Sequence, residues 1–214
     1  MTFITTILEK QIIMDRTWLF TLDRGSFEFQ PGQFINLSTG PGNDRREFSI
    51  ASPSQQKTLE VLITRQKDGA LSPLLCDSPV GAKWTVEGPE GQFQLSPLER
   101  KSPVLMIATG SGISPFGSLI RSYPGLDYQI LHGLPHFGRI KEWINFPAKR
   151  YTLCTSRSGD GDFSGRVTER LKQISLSSKA IYMLCGNSDM IFDSMAILQD
   201  RGIPRKNIKA EIYF

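Results

Sequence analysis

The chain has 214 residues, a net charge of +4, 39% hydrophobic and 21% charged residues. That is enough for one large or two small globular domains, each with its own core, and it argues against extensive disorder. The charge is too weak to point to nucleic acid, although it suits an acidic protein partner, and no apolar run approaches the ~20 residues of a membrane-spanning helix.

The opening run, MTFITTILEKQ, lacks early positive charge, and Glu9 and Lys10 interrupt its apolar part. It does not read as a signal peptide, so a cytoplasmic protein without an integral membrane segment is expected. Up to about Pro97, short runs are separated by Gly, Pro, Asn and Asp: TWLFTLD, GQFINLS, EFSIAS, LEVLITR and AKWTVEG. They predict a small antiparallel β-barrel. One helical turn is expected at LSPLLCD, with Ser72 as cap and Pro73 at the first helical position. The stretch LSPLERKSPV, rich in proline and charge, marks a boundary between domains at 1–99 and 100–214.

From Pro103 the rhythm becomes strand, glycine turn, helix. VLMIA leads into TGSGISPFGSLIRS, YQILHG and YTLCTS follow, AIYMLCG leads into NSDMIFDSMAILQDRG, and IKAEIYF completes the pattern. This alternation predicts an α/β domain with a parallel sheet after the antiparallel barrel. There is no internal repeat or low-complexity tract.

Several stretches carry chemistry. RREFSIASP sets charge against an apolar turn. It fits either an exposed edge that discourages pairing or the mouth of a site where Arg46 grips a phosphate, Phe48 meets a flat ring and Ser49 offers a hydroxyl. ATGSGISP follows a strand and opens a helix, so Gly110 and Gly112 would let backbone approach a phosphate at free helix-start N–H groups. It departs from the usual dinucleotide fingerprint, because Pro115 replaces the third glycine and no acid follows the next strand. A ligand-free tight turn fits as well.

CGNSDM places a second glycine turn at a strand's carboxyl end, with Cys185 either buried or facing a ligand. TSRSGDGDFSGRV holds Ser156, Arg157 and Arg166, which could clasp a phosphate or be solvated loop residues. Cys76, Cys154 and Cys185 form no CxxC pair and suggest neither a disulfide framework nor an iron–sulfur cluster. His132 and His136 flank Gly133 and Pro135 and read as loop residues, with no metal site expected.

In their order, REFSIASP, DGALSP, GPEGQF, LMIATGSGISP, TSR with GRV, MLCGNSDM and the ending AEIYF resemble the ferredoxin/flavodoxin–NADP reductase family, most closely its compact bacterial type. The resemblance implies an N-terminal FAD-binding barrel and a C-terminal NADP(H)-binding α/β domain. It implies that Arg46, Glu47, Phe48 and Ser49 hold FAD, with Arg46 on the pyrophosphate and Ser49 near flavin N5. It gives Gly69, Ala70, Leu71 and Ser72 to the turn and helix start at the same pyrophosphate. Phe48 stands where the family usually has tyrosine, so it can stack but cannot donate a hydroxyl bond.

In the second domain the resemblance assigns Thr109, Gly110, Ser111 and Gly112 to the NADP pyrophosphate. Ser156, Arg157 and Arg166 fall to the 2′-phosphate, and Cys185 and Gly186 to the nicotinamide side. The arginine often found after the H-x-x of the third-strand loop is absent, since Pro135 follows HGL, and Arg139 is the candidate substitute. Glu211, Tyr213 and Phe214 match the family ending whose aromatic residue covers the flavin.

The implied activity moves a hydride between NADPH and bound FAD past Ser49, Cys185 and Glu211, and single electrons between FAD and a ferredoxin or flavodoxin. A monomer is expected. The alternatives are an NAD(P)H-dependent flavin reductase using diffusible flavin, the reductase component of an oxygenase system, or a flavin-bearing sensor that keeps the fold without turnover.

Overall fold

The computed structural model describes residues 1–40, 44–136, 138 and 140–213, apart from the side chains of Lys141 and Glu142. Its chain divides into two compact units, Met1–Gln94 with Ser114–Ser122, and Leu95–Ile113 with Tyr123–Phe214.

The first unit is built on six antiparallel strands: β1 (Thr2–Met14), β2 (Thr17–Asp23), β3 (Phe34–Ser38), β4 (Arg46–Ser49), β5 (Thr58–Thr64) and β6 (Lys83–Glu90). Their order is β4-β3-β6-β1-β2-β5. The five runs read as strands form β2 to β6, with the β4 ladder of EFSIAS ending at Ser49. β1 was not foreseen, because its threonines and the EKQ interruption blur the alternation that marks a strand. It pairs with β6 through Thr2–Thr6 and with β2 from Ile7 to Met14, so a single strand carries the sheet around a corner. The end strands of the order then meet, since Ile50 bridges Val61 and Ala51 N–H donates to Glu60 O at 2.8 Å.

Side chains of period two fill the interior. Phe20 and Leu22, Ile35 and Leu37, Leu59, Val61 and Ile63, and Trp84 and Val86 are all buried in one cluster. Trp84 lies 4.9 Å from Phe20 between ring centroids, and its indole N–H reaches Ser78 Oγ at 3.1 Å.

Helix α1 (Leu71–Asp77) begins before the expected cap. Leu71 and Leu75 enter the core, which fixes the helix start, and Ser72 lies inside it. Its Oγ instead accepts the Gln66 N–H at 3.0 Å, closing the preceding turn. Helix α2 (Ser114–Ser122) also packs in this unit. Arg121 donates to Glu60 Oε2 at 2.7 Å and to Ala51 O at 2.5 Å, while Ser54 N–H donates to Ser122 Oγ at 2.9 Å.

The second unit carries β7 (Val104–Thr109), β8 (Tyr128–Leu134), β9 (Tyr151–Thr155), β10 (Phe163–Ser164), β11 (Ile181–Asn187) and β12 (Ile208–Tyr213). All pair in parallel, in the order β10-β9-β8-β7-β11-β12. Helices α3 (Ile140–Trp143), α4 (Val167–Gln173) and α5 (Ser188–Asp200) complete it. Central strands are buried along nearly their whole length, Val104–Ala108 in β7 and Ile181–Gly186 in β11, as a sheet covered on both faces requires. The chain direction of travel reverses between β7 and β11, which makes their carboxyl ends the topological switch point.

Candidate functional site

In the first unit, the candidate surface is β4 and the turn before α1. Arg46 and Glu47 are exposed, Phe48 is half-buried against the barrel core, and Ser49 is buried opposite Phe34. The neighbouring Arg45 is committed to an ion pair with Glu87. Arg46 makes no ion pair among the described residues, and its guanidinium donates only to Arg45 O at 3.1 Å. The two adjacent arginines therefore do different things, one bracing the sheet and one presenting an exposed fork of donors.

The turn at Gly69 is tight. A Cβ there would lie 2.9 Å from Gln66 Cβ and 3.0 Å from Ser72 Oγ, so glycine is required for close approach. Ala70 is exposed, and Leu71 anchors the turn to the core.

In the second unit, the sequence candidates gather along the carboxyl edge of the parallel sheet. β7 and β11 are interlocked there by two glycines. A Cβ on Gly112 would fall 2.3 Å from Cys185 O, and one on Gly186 (φ +128°) 2.5 Å from Thr109 Oγ1. Thr109 Oγ1 accepts the Asn187 N–H at 3.0 Å, while the Asn187 side chain caps α5 by accepting from Asp189 and Met190 N–H groups. Gly110 has φ +55° with open space where a Cβ would stand, and Ser111 beside it is half-buried.

Cys185 pairs in register with Ala108 on one side and Glu211 on the other, and Asn187 pairs with Tyr213. The thiol is fully buried. Burial raises its pKa well above the ordinary value, the Glu211 charge raises it further, and the neighbouring Tyr213 hydroxyl only partly opposes them. Cys185 is thus a neutral, polarizable group and no thiolate nucleophile.

Ser156, Arg157 and Arg166 are exposed at adjacent strand ends. β9 and β10 pair Thr155 with Ser164, so Ser156-Arg157 and Gly165-Arg166 leave the sheet side by side. Ser156 and Arg157 donate their backbone N–H groups to Leu134 O and Pro135 O, and Arg166 N–H donates to Glu169 Oε2 at 2.6 Å. Neither guanidinium forms an ion pair among the described residues. The stretch that holds them also contains β10 and ends on the first residue of α4, elements too short to leave a periodicity to read.

His132 corrects the reading of both histidines as loop residues. It lies within β8, wholly buried, because the strand runs on through Gly133 to Leu134. Gly133 breaks nothing there, and its missing Cβ makes room for Thr109 and Val167. His132 Nε2 is 2.8 Å from Gly110 O and Nδ1 is 2.8 Å from Tyr151 OH. Burial lowers its pKa to about 4, against a small opposing effect from Gly110. His136 is exposed. Among the described residues no cluster could hold a metal ion. Phe214 and Arg139 lie outside the described residues.

Residues 5–95 match the oxidoreductase FAD-binding domain. Along most of its length the chain is 27% identical to the reductase component of propane 2-monooxygenase from Mycolicibacterium smegmatis, with 87% of this chain and 60% of that protein covered. It is 29% identical to ferredoxin–NADP reductase B from Sorangium cellulosum, with 89% of this chain and 88% of that protein covered. The fold superimposes on a ferredoxin NADP+ reductase from Neisseria gonorrhoeae, solved with bound FAD and NADP, at a TM-score of 0.83 and 23% identity, covering 100% of this chain and 99% of that one. Residues 5–95 thus match a flavin-binding oxidoreductase domain, and over most of its length the chain is similar both to ferredoxin–NADP reductases and to reductase components of oxygenases. No helix among the described residues is long and apolar enough to cross a membrane.

Proposed function

We propose that this chain oxidises NADPH and passes the electrons, through bound FAD, singly to an acidic ferredoxin or flavodoxin. The observation that carries this reading is the glycine-locked carboxyl edge at the β7–β11 switch point, where backbone can approach a nucleotide pyrophosphate and Cys185, Glu211 and Tyr213 stand in register beside it. The open space over Gly110 suits a phosphate, and the exposed fork of Arg46 with the tight Gly69 turn suits a second one in the barrel unit. FAD, when bound, supplies the exchange between a two-electron donor and one-electron carriers.

The residues have separate tasks in this account. Arg46, Glu47 and the Gly69–Ser72 turn hold the flavin nucleotide, Phe48 lies against its ring, and the Ser49 hydroxyl orients the reacting edge. Thr109 to Gly112 take the NADPH pyrophosphate, with Gly186 leaving room for the nicotinamide. Ser156, Arg157 and Arg166 distinguish the 2′-phosphate from a free hydroxyl, which favours NADPH over NADH. Cys185 contributes a neutral surface that neither attacks nor exchanges a proton with the nicotinamide, kept so first by its burial and then by the Glu211 charge. The expected monomer acts in the cytoplasm.

A second reading, the reductase component of an oxygenase, is favoured by the similarity to the propane 2-monooxygenase component, 60% of whose length this chain spans. Steady-state NADPH oxidation distinguishes the acceptors. Faster turnover with a [2Fe–2S] ferredoxin or a flavodoxin than with added FMN supports the proposal. Faster turnover with FMN, together with loss of bound FAD on gel filtration, would favour a reductase of diffusible flavin.

A further inference from the structure

The sequence offers no use for His132, yet the structure buries it completely beneath the glycine turn. Its partners define its proton. The Gly110 carbonyl can only accept, so Nε2 carries the hydrogen and donates at 2.8 Å. Nδ1 is then an acceptor and receives the Tyr151 O–H at 2.8 Å. Tyr151 is itself fixed, buried and stacked on Phe146 with ring centroids 4.6 Å apart and planes 10° from parallel. The chain of contacts therefore runs from a packed aromatic pair, through one imidazole, to the carbonyl of a glycine held at φ +55°.

That carbonyl belongs to the peptide joining Gly110 to Ser111. Holding its oxygen inward toward β8 points the N–H of the same peptide the opposite way, away from β8. A peptide beside a glycine with positive φ flips more readily than most, and this is the peptide on which a pyrophosphate-binding turn depends. We infer that His132, oriented by Tyr151, is a positioning residue that locks the Gly110–Ser111 peptide in its phosphate-accepting orientation. The inference rests on the nucleotide reading of the turn given above.

Two isosteres separate this role from simple core filling. A glutamine amide reaches the place of Nε2 and keeps a donor for Gly110 O, whereas an asparagine amide reaches only the place of Nδ1. NADP+ binding to the flavin-loaded protein, measured by calorimetry, should weaken about ten-fold in His132→Asn, the scale expected for one buried carbonyl left unpaired. It should stay within about three-fold of the parent in His132→Gln, with flavin content unchanged in both. Amide hydrogen exchange in the 109–113 segment should accelerate in His132→Asn and remain near the parent rate in His132→Gln.

Equal exchange and equal NADP+ affinity in His132→Asn and parent would overturn the inference. Should His132→Asn fail to fold, Tyr151→Phe, which leaves the ring without its orienting O–H, is read by the same two measurements. A parent protein that binds neither NADP+ nor NAD+ would overturn the nucleotide reading instead, and the exchange comparison alone would then decide whether His132 holds the turn.

Discussion

Mild acid should cost this protein stability through a single buried ring. Burial lowers the His132 pKa from 6.5 to about 4, with no neighbouring charge needed to account for it. Between those values the unfolded chain takes up a proton that the folded chain refuses. The stabilisation is therefore whole above pH ~6.5 and is lost progressively as the pH falls toward ~4. The gap corresponds to about 3 kcal/mol in all, of which about 2 kcal/mol falls between pH 7 and pH 5. Against the 5–15 kcal/mol typical of folded domains, roughly, that is a large fraction.

Urea unfolding at the two pH values, with free FAD held constant, measures it in the parent and in His132→Gln, which has no imidazole to titrate. His136 is exposed and common to both. Glu99 acts in a different window. Burial alone would raise its pKa, but hydrogen bonds with Lys209 and Ser96 hold it below 4.5, so its contribution is lost only at lower pH. The parent should lose about 2 kcal/mol more than the variant between pH 7 and pH 5. Equal losses would show that the folded ring accepts a proton freely, and would refute the account of His132 as a neutral, sequestered group.

Gly112→Ala should be far more damaging than Gly110→Ala. The first drives a Cβ to 2.3 Å from the Cys185 carbonyl oxygen, whereas the second meets nothing within 4 Å and costs only the strain of φ +55°, about 1–2 kcal/mol. Thermal melts that rank the two equally would contradict the interlock. Neutralising Arg157 and Arg166 together as Arg157→Gln/Arg166→Gln should reduce the NADPH over NADH preference in kcat/KM by about ten-fold or more, with NADH turnover little changed. An unchanged preference would remove both residues from the 2′-phosphate. Glu60→Leu should destabilise the barrel unit by about 2 kcal/mol, because it removes the Glu60 carboxylate from the partly buried Arg121 guanidinium, which keeps its bonds to Ala51 O and Gly117 O. A loss below about 0.5 kcal/mol in urea unfolding would mean that water replaces the ion pair.

Much of the second unit was legible because its strands are continuous apolar runs that end in glycine turns, a pattern imposed by burial on both sheet faces. VLMIA and AIYMLCG could hardly be anything else, and the glycines after them marked the edge where the candidates gather. β1 was harder. Its corner, where pairing passes from β6 to β2, exposes Ile4, Leu8 and Ile12 and so destroys a clean alternation. Ser72 misled because serine before proline is a strong cap signal, yet the burial of Leu71 outweighed it.

At the site, sequence supplied the residue types and the family resemblance supplied their roles. Contacts between distant segments stayed hidden. The Thr109–Asn187 bond and the Gly110–His132–Tyr151 chain join residues that no local spacing relates. Only the parallel register of β7, β8, β9 and β11 brings them together.

NADPH should reduce a flavin held by this chain. The most direct test is the visible absorption spectrum of the purified, FAD-loaded protein under anaerobic conditions, before and after one equivalent of NADPH. The account predicts an oxidised-flavin spectrum that bleaches on addition, and bleaches more slowly with NADH. A bound flavin that keeps its full absorbance with either nucleotide would contradict it.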